Sequence, residues 1–139
     1  PLRSIVYSSF VVPGTPQERV AEIVRDAARF NVYAGVTGLL LFDGMTFLQY
    51  LEGPDDGMHV VYARIMQSKN HVSLVELGRA EPPHRLFSQW SMQFAVTPHD
   101  LDGLAHRGDW RQLALRPQAD RDIWLGTERM EAIALHDVV

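Results

Sequence analysis

Residues 35–54, G-V-T-G-L-L-L-F-D-G-M-T-F-L-Q-Y-L-E-G-P, constrain the fold more than any other stretch of this chain. Two apolar runs flank Asp43-Gly44, and Asp-Gly between hydrophobic runs supplies the positive φ angles a two-residue hairpin turn needs. The pattern predicts a β-hairpin whose strands are too apolar to leave a face in water. They belong centrally in a sheet covered by helices on at least one side. Gln49 interrupts the second run, among Phe47, Leu48, Tyr50 and Leu51. An inward-facing amide needs a partner there, because leaving it unpaired costs about 1–3 kcal/mol.

The flanking sequence supplies the rest of such a sheet. Residues 2–10 alternate, with Leu2, Ser4, Val6 and Ser8 on one face and Arg3, Ile5, Tyr7 and Ser9 on the other, which predicts a first strand. Pro13-Gly14 ends it. Thr15-Pro16-Gln17-Glu18 then predicts a helix start, with Thr15 as N-cap, Pro16 at the first helical position and Glu18 closing a capping box. Val20, Ile23, Val24, Ala27 and Ala28 recur at helical spacing, giving an amphipathic helix that ends near Phe30 or Asn31. After the hairpin, Gly53-Pro54-Asp55-Asp56 opens a second helix with Met58, Val61, Tyr62 and Ile65 as its apolar stripe. Residues 71–80 predict a fourth strand. Residues 90–96 predict a fifth, with Trp90, Met92, Phe94 and Val96 on one side and Ser91, Gln93 and Ala95 on the other.

This order is the split βαβ arrangement of a ferredoxin-like α+β domain with an added strand, βαββαββ. It gives a mixed five-stranded sheet carrying two helices on one face. Beyond residue 96 the character changes. Thr97-Pro98-His99-Asp100 caps a short helix, Gly108 and Pro117 punctuate, and residues 127–139 form a last helix with Met130, Ile133 and Ala134 on one side. At 139 residues the chain is one domain's worth of sequence, with ample material for a core.

Composition removes several chemistries. With no cysteine there is no disulfide, thiolate metal site, cysteine nucleophile or cysteinyl adduct. The histidines at 59, 71, 84, 99, 106 and 136 never pair at i, i+4, so no metal site is expected. Gly-x-Ser-x-Gly and Walker patterns are absent, and Gly35-Val-Thr-Gly38 opens a strand rather than a helix, so nothing points to nucleophilic catalysis or a phosphate cradle. A formal net charge of -4 without a basic run argues against nucleic acid or anionic membrane as partner. Without a membrane-length apolar run or a signal-peptide pattern near residues 1–10, the expected location is cytoplasmic.

Taken singly, the remaining candidates have ordinary readings. Tyr7 in mid-strand is either a core aromatic or a functional phenol. Asn31 reads as a helix C-cap, and Trp90 and Met92 as core or oligomer-interface residues. Taken together, Tyr7, Asn31, Gln49, Trp90 and Met92, set against G-V-T-G-L-L-L-F-D-G-x-x-F-L-Q-x-L-E-G-P, resemble the BLUF family of flavin-using blue-light sensors. The resemblance runs from about residue 2 to 94 and includes R-I-x-x-S-x-N-H-x-x-V and F-x-x-W-S-M.

The resemblance implies a flavin-binding domain over residues 1–96 and a helical extension over 97–139 that covers the outer sheet face. It places an isoalloxazine ring between the two helices, with Tyr7 and Gln49 at the photoactive edge and Asn31 bonding the ring. Ser9, Ile23, Leu40, Phe47, Asn70 and His71 would line the binding site, and Trp90 and Met92, two apart on one strand face, would relay the signal. Phe30, Ser68 and Asn70 depart from the family's usual residues. FAD is the expected flavin, with FMN and riboflavin as alternatives. A sensor of this kind is not an enzyme. With no effector domain in the sequence, it would act through an oligomer of its own or a separate partner such as a cyclic-di-GMP phosphodiesterase or a transcription regulator. The rival readings are a colourless ferredoxin-like ligand-binding or dimerisation module and a small hydrolase of that fold, which lacks its anion-binding loop here.

Overall fold

Strand β1 (Leu2–Val11) lies between β4 (His71–Ala80) and β3 (Thr46–Pro54), and β2 (Thr37–Phe42) and β5 (Gln93–Val96) complete a five-stranded sheet in the order β4-β1-β3-β2-β5. The computed structural model describes residues 1–110 and 126–137. β1 pairs antiparallel with both β3 and β4, β2 pairs antiparallel with β3, and β5 runs parallel to β2, so the sheet is mixed. Helices α1 (Gln17–Ala34) and α2 (Asp55–Gln67) cover one face. Helices α3 (Leu101–Arg107) and α4 (Gly126–Asp137) cover the other. This is the ferredoxin-like arrangement that the element order predicts.

Both faces of β2 and β3 are therefore dry, which explains why their sequences are apolar throughout rather than alternating. Leu39, Leu41, Leu48 and Tyr50 pack with Leu101, Ala105, Met130, Ile133 and Ala134 on the far side. Leu40, Phe42 and Phe47 meet Val20 and Val24 of α1, while Ile5 and Leu51 meet Met58 and Val61 of α2. The stripe Met58, Val61, Tyr62 and Ile65 faces the sheet as its spacing predicts.

Several local expectations are corrected. Asp43 and Gly44 are not the two central residues of the hairpin turn. Asp43 N–H donates to Thr46 O, which leaves Gly44 (φ 98°) and Met45 at the tip. The Asp43 carboxylate accepts the amides of Met45 (3.0 Å) and Thr46 (2.7 Å), and its second oxygen accepts Leu101 N–H (3.1 Å), tying the hairpin to α3. The capping box of α1 does not form: Thr15 donates its hydroxyl to Val12 O at 2.7 Å, and Pro16 stands at the cap. Helix α1 runs past Asn31 to Ala34 because the left-handed residue that ends it is Gly35, φ 69°. The fifth strand begins at Gln93, not Trp90, since residues 81–92 form a connecting strap first. For the region after residue 96, Asp100 caps α3 by accepting Gly103 N–H at 2.9 Å. Met130, Ile133 and Ala134 of α4 are buried as predicted. Pro117 and residues 138 and 139 lie outside the described residues.

Helices α1 and α2 meet at close range at one end only. A Cβ on Gly57 would sit 2.0 Å from Ala34 O, so the first turn of α2 touches the last turn of α1. Toward the other end the helices leave a cleft between them.

Candidate functional site

The cleft has a volume of about 810 Å³ and its floor is the sheet. Tyr7, Gln49 and Leu40 lie in one cross-strand row, since Tyr7 is the register partner of Gln49 and Gln49 of Leu40. Side chains in such a row share a face, and here all three point into the cleft with Phe47. Its α1 wall carries Ile23, Val24, Ala27, Phe30 and Asn31, and its α2 wall carries Val61, Arg64 and Ile65. Met92, Asn70 and His71 close the ends.

A chain of hydrogen bonds crosses the floor. The Tyr7 hydroxyl donates to Gln49 Oε1, and Gln49 Nε2 donates to Met92 Sδ at 3.3 Å. Because a phenol hydroxyl here donates, the Gln49 carbonyl oxygen faces Tyr7 and the amino group faces Met92. A thioether is a weak acceptor, so the second link is the one more readily given up. Burial pushes the Tyr7 pKa up, and the neighbouring Tyr62 adds to the effect, so the phenol holds its proton firmly in the ground state. Tyr62, also raised mainly by burial and then by Glu76, is pushed up to about 12.

The polar rim is organised from neighbouring elements. His71 Nε2 donates to Ile65 O (3.0 Å), and its Nδ1 pairs with the Ser9 hydroxyl (2.7 Å), so Ser9 acts by holding the His71 ring rather than by lining the cleft. Asn31 is buried in the last turn of α1 and is not a helix cap; its Nδ2 donates to Ser91 O at 3.0 Å. Asn70 follows Ser68 in a turn closed by Asn70 N–H on Ser68 Oγ (3.2 Å), and both line the mouth with Lys69. Arg64 stacks over Phe30 at 4.5 Å across the lip.

Nine of the eleven residues expected at the site therefore line one cleft: Tyr7, Ile23, Asn31, Leu40, Phe47, Gln49, Asn70, His71 and Met92. Trp90 does not. Its ring stacks on Phe87 (5.3 Å, 7° between planes) in the far layer, so Trp90 and Met92 do not share a face. The alternation argument needed a continuous strand from residue 90, and the strap turns over before β5 begins. The sequence reading assigned Val24 and Ala27 to core packing and passed over Val61, Arg64 and Ile65 as site residues. Helical spacing marks Val24, Ala27, Val61 and Ile65 as inward-facing, but nothing in it distinguishes a core from a cleft, and Arg64 lies off the apolar stripe altogether.

A family model described as sensors of blue light using FAD matches residues 2–93 of this chain. The chain belongs to the BLUF family. It is 35% identical over 102 residues to the blue light- and temperature-regulated antirepressor BluF of Escherichia coli strain K12, covering 73% of this chain and 25% of that one. The fold matches the dark-state structure of the BLUF protein BlrB with a TM-score of 0.65 and 28% identity, over 68% of this chain and 72% of that one. It also matches BlrP1 of Klebsiella pneumoniae, with FMN and cyclic diGMP, with a TM-score of 0.68 and 25% identity over 97% of this chain and 35% of that one. The BLUF chain thus spans about a quarter of the Escherichia coli relative it matches.

The residues present fit a flavin. The cleft volume lies in the range of cofactor sites, roughly 300–1,000 Å³, its floor and inner walls are mostly apolar with charged residues among the lining, and the amides of Asn31, Gln49 and Asn70 can each donate and accept along a heterocycle edge. Among the described residues no His, Asp and Glu group could hold a metal ion, and no helix is long and apolar enough to cross a membrane.

Proposed function

We propose that this BLUF chain is a blue-light sensor whose switch is the Gln49 side chain. The observation that carries this reading is the Tyr7–Gln49–Met92 chain on the floor of a flavin-sized cleft. Flavin held in this cleft by Asn31, Asn70 and the apolar walls would, when excited by blue light, supply an electron acceptor at that floor. Tyr7, once it has given up an electron, becomes a strong acid, unlike the ground-state phenol with a pKa near 10. Its proton passes along the existing bond to Gln49 Oε1, and when the electron and a proton return to Tyr7 the phenol is restored, so that no net oxidation remains. An amide that had its carbonyl toward Tyr7 then settles rotated or tautomerised, and the Nε2 bond to Met92 Sδ is redrawn. An amide places a donor and an acceptor on one rotatable group, whereas an ionised Glu only accepts and Leu does neither, so neither could make this exchange.

Asn31 and Asn70 are the proposed polar contacts to the flavin, and Ile23, Leu40 and Phe47 its apolar bed. His71, held by Ser9, bounds the ring site. Arg19, Arg64 and Lys69 line the cleft and favour a phosphorylated flavin, FAD or FMN, over riboflavin. We assign residues 1–96 to flavin binding and residues 97–139 to relaying the change through the far layer, where Trp90 meets the cluster containing α3 and α4. The output is taken up by an oligomer of this chain or by a separate effector, either a transcription regulator, as the antirepressor relative suggests, or a cyclic-di-GMP phosphodiesterase. Absorption spectra of the flavin-loaded protein before and after blue light test the reading; a flavin band that does not move contradicts it.

A further inference from the structure

Glu52 is a fully buried carboxylate that the light chemistry does not use. Burying a carboxylate is costly unless its oxygens are bonded, and these are. Oε1 accepts Leu86 N–H at 2.8 Å and the Tyr50 hydroxyl at 3.0 Å, and Oε2 accepts Phe87 N–H at 2.6 Å. Charge-assisted bonds of this kind are short and strong.

What Glu52 holds is the later part of the strap, residues 85–92, which passes from the far layer to the cleft. At its start Arg85 donates to Thr37 Oγ1 (2.8 Å) and Gly35 O (2.7 Å). Farther on, Trp90 O accepts Gly38 N–H (2.8 Å), Ser91 O accepts Asn31 Nδ2–H (3.0 Å), and Met92 Sδ accepts from Gln49 (3.3 Å). Strand alternation sends Gln49 into the cleft and Glu52, three residues on, into the far layer. Both ends of the strap are thereby fastened to β3, one through a carboxylate with two backbone amides and the other through a single bond to sulfur.

We infer that Glu52 is a positioning residue: the fixed anchor of the strap, against which release of the Met92 end is converted into movement of Trp90 in the far layer. This rests on the Gln49 switch proposed above. The Met92 end is the weaker fastening and lets go first. Phe87, held by Glu52, stays in place and is the pivot against which the stacked Trp90 ring shifts.

The test uses the full flavin-loaded chain. Hydrogen exchange in the wild type should show the Leu86 and Phe87 amides equally protected in darkness and under blue light, with light-dependent change at residues 91–93. In Glu52→Gln one amide N–H of the strap faces a donor instead of an acceptor. The light-induced flavin shift should persist, while dark recovery changes on the order of tenfold. Tyr50→Phe keeps both amide bonds and should recover at close to the wild-type rate. A purely structural role would lower the melting temperature of Glu52→Gln and leave recovery unchanged, and that result overturns the anchor. So does light-induced loss of protection at Leu86 and Phe87 in the wild type, a measurement that does not depend on the variant folding. A wild-type protein with no flavin shift would instead overturn the switch reading, so the two failures are distinguishable.

Discussion

Tyr7 and Gln49 face one another across the β1–β3 pair as register partners, and the phenol donates to the amide oxygen in a site where both side chains are about 5% exposed or less. Two features readable in sequence put them there: mid-strand placement of Tyr7 on β1 and the place of Gln49 in the second apolar run of the hairpin. Their adjacency would give an oxidised phenol, as proposed above, one proton acceptor already aligned.

Replacing Gln49 with Leu keeps the volume of the site and removes the exchangeable amide. The variant should bind flavin and show no light-induced shift in the flavin band by absorption spectroscopy. A normal shift in Gln49→Leu would rule out the hydrogen-bond switch.

Tyr7→Phe removes the proposed electron and proton donor and leaves Gln49 Oε1 without the phenol that donates to it. The expected results are a folded, flavin-binding protein less stable by about 1 kcal/mol in urea unfolding and no long-lived photoproduct after a blue pulse.

The two residues expected to relay the signal should behave differently. Met92→Ala deletes the acceptor of Gln49 Nε2 and should change the dark recovery rate followed in the flavin band. Trp90→Phe alters a ring that packs on Phe87 in the other layer, so the dark flavin spectrum should stay as in the wild type.

The contrast between Trp90 and Met92 marks where sequence reasoning stopped. Period-two alternation located β1 and β4, and the apolar runs around Asp43-Gly44 located the hairpin, whereas the shifts of the β1–β4 register between Val6 and Tyr7 and between Ser8 and Phe10 follow no such pattern. Alternation failed at residues 90–92, where the chain is still a strap held by bonds to Gly38, Asn31 and Gln49 that no local pattern encodes. Glu52 itself reads as an unremarkable strand residue until the partners 34 and 35 positions away are seen. Asn31 looked like a cap because a helix end was expected there; the glycine that ends α1 stands four residues later.

Gly57 sets how closely α1 and α2 meet. Gly57→Ala would push a methyl against Ala34 O, and overpacking of this kind costs about 1–3 kcal/mol. Urea unfolding should report that loss, together with weaker flavin retention as the helices move.

Burial raises the pKa of Tyr7, of Tyr50 and, to about 12, of Tyr62. A raised folded-state value means that the folded protein holds protons the unfolded chain has released. This stabilisation is complete below the unfolded tyrosine pKa of about 10 and is lost as pH rises through the folded values. Stability measured in urea should therefore decline from about pH 10 upward, and the loss should be smaller in Tyr62→Phe.

The central claim is that light rearranges the Gln49 amide beside a bound flavin. The most direct measurement is the absorption spectrum of the flavin-loaded protein in darkness, after blue light and after return to darkness. A reversible displacement of the flavin band to longer wavelength is the predicted result. A flavin-bound protein whose band stays fixed under blue light would contradict the account.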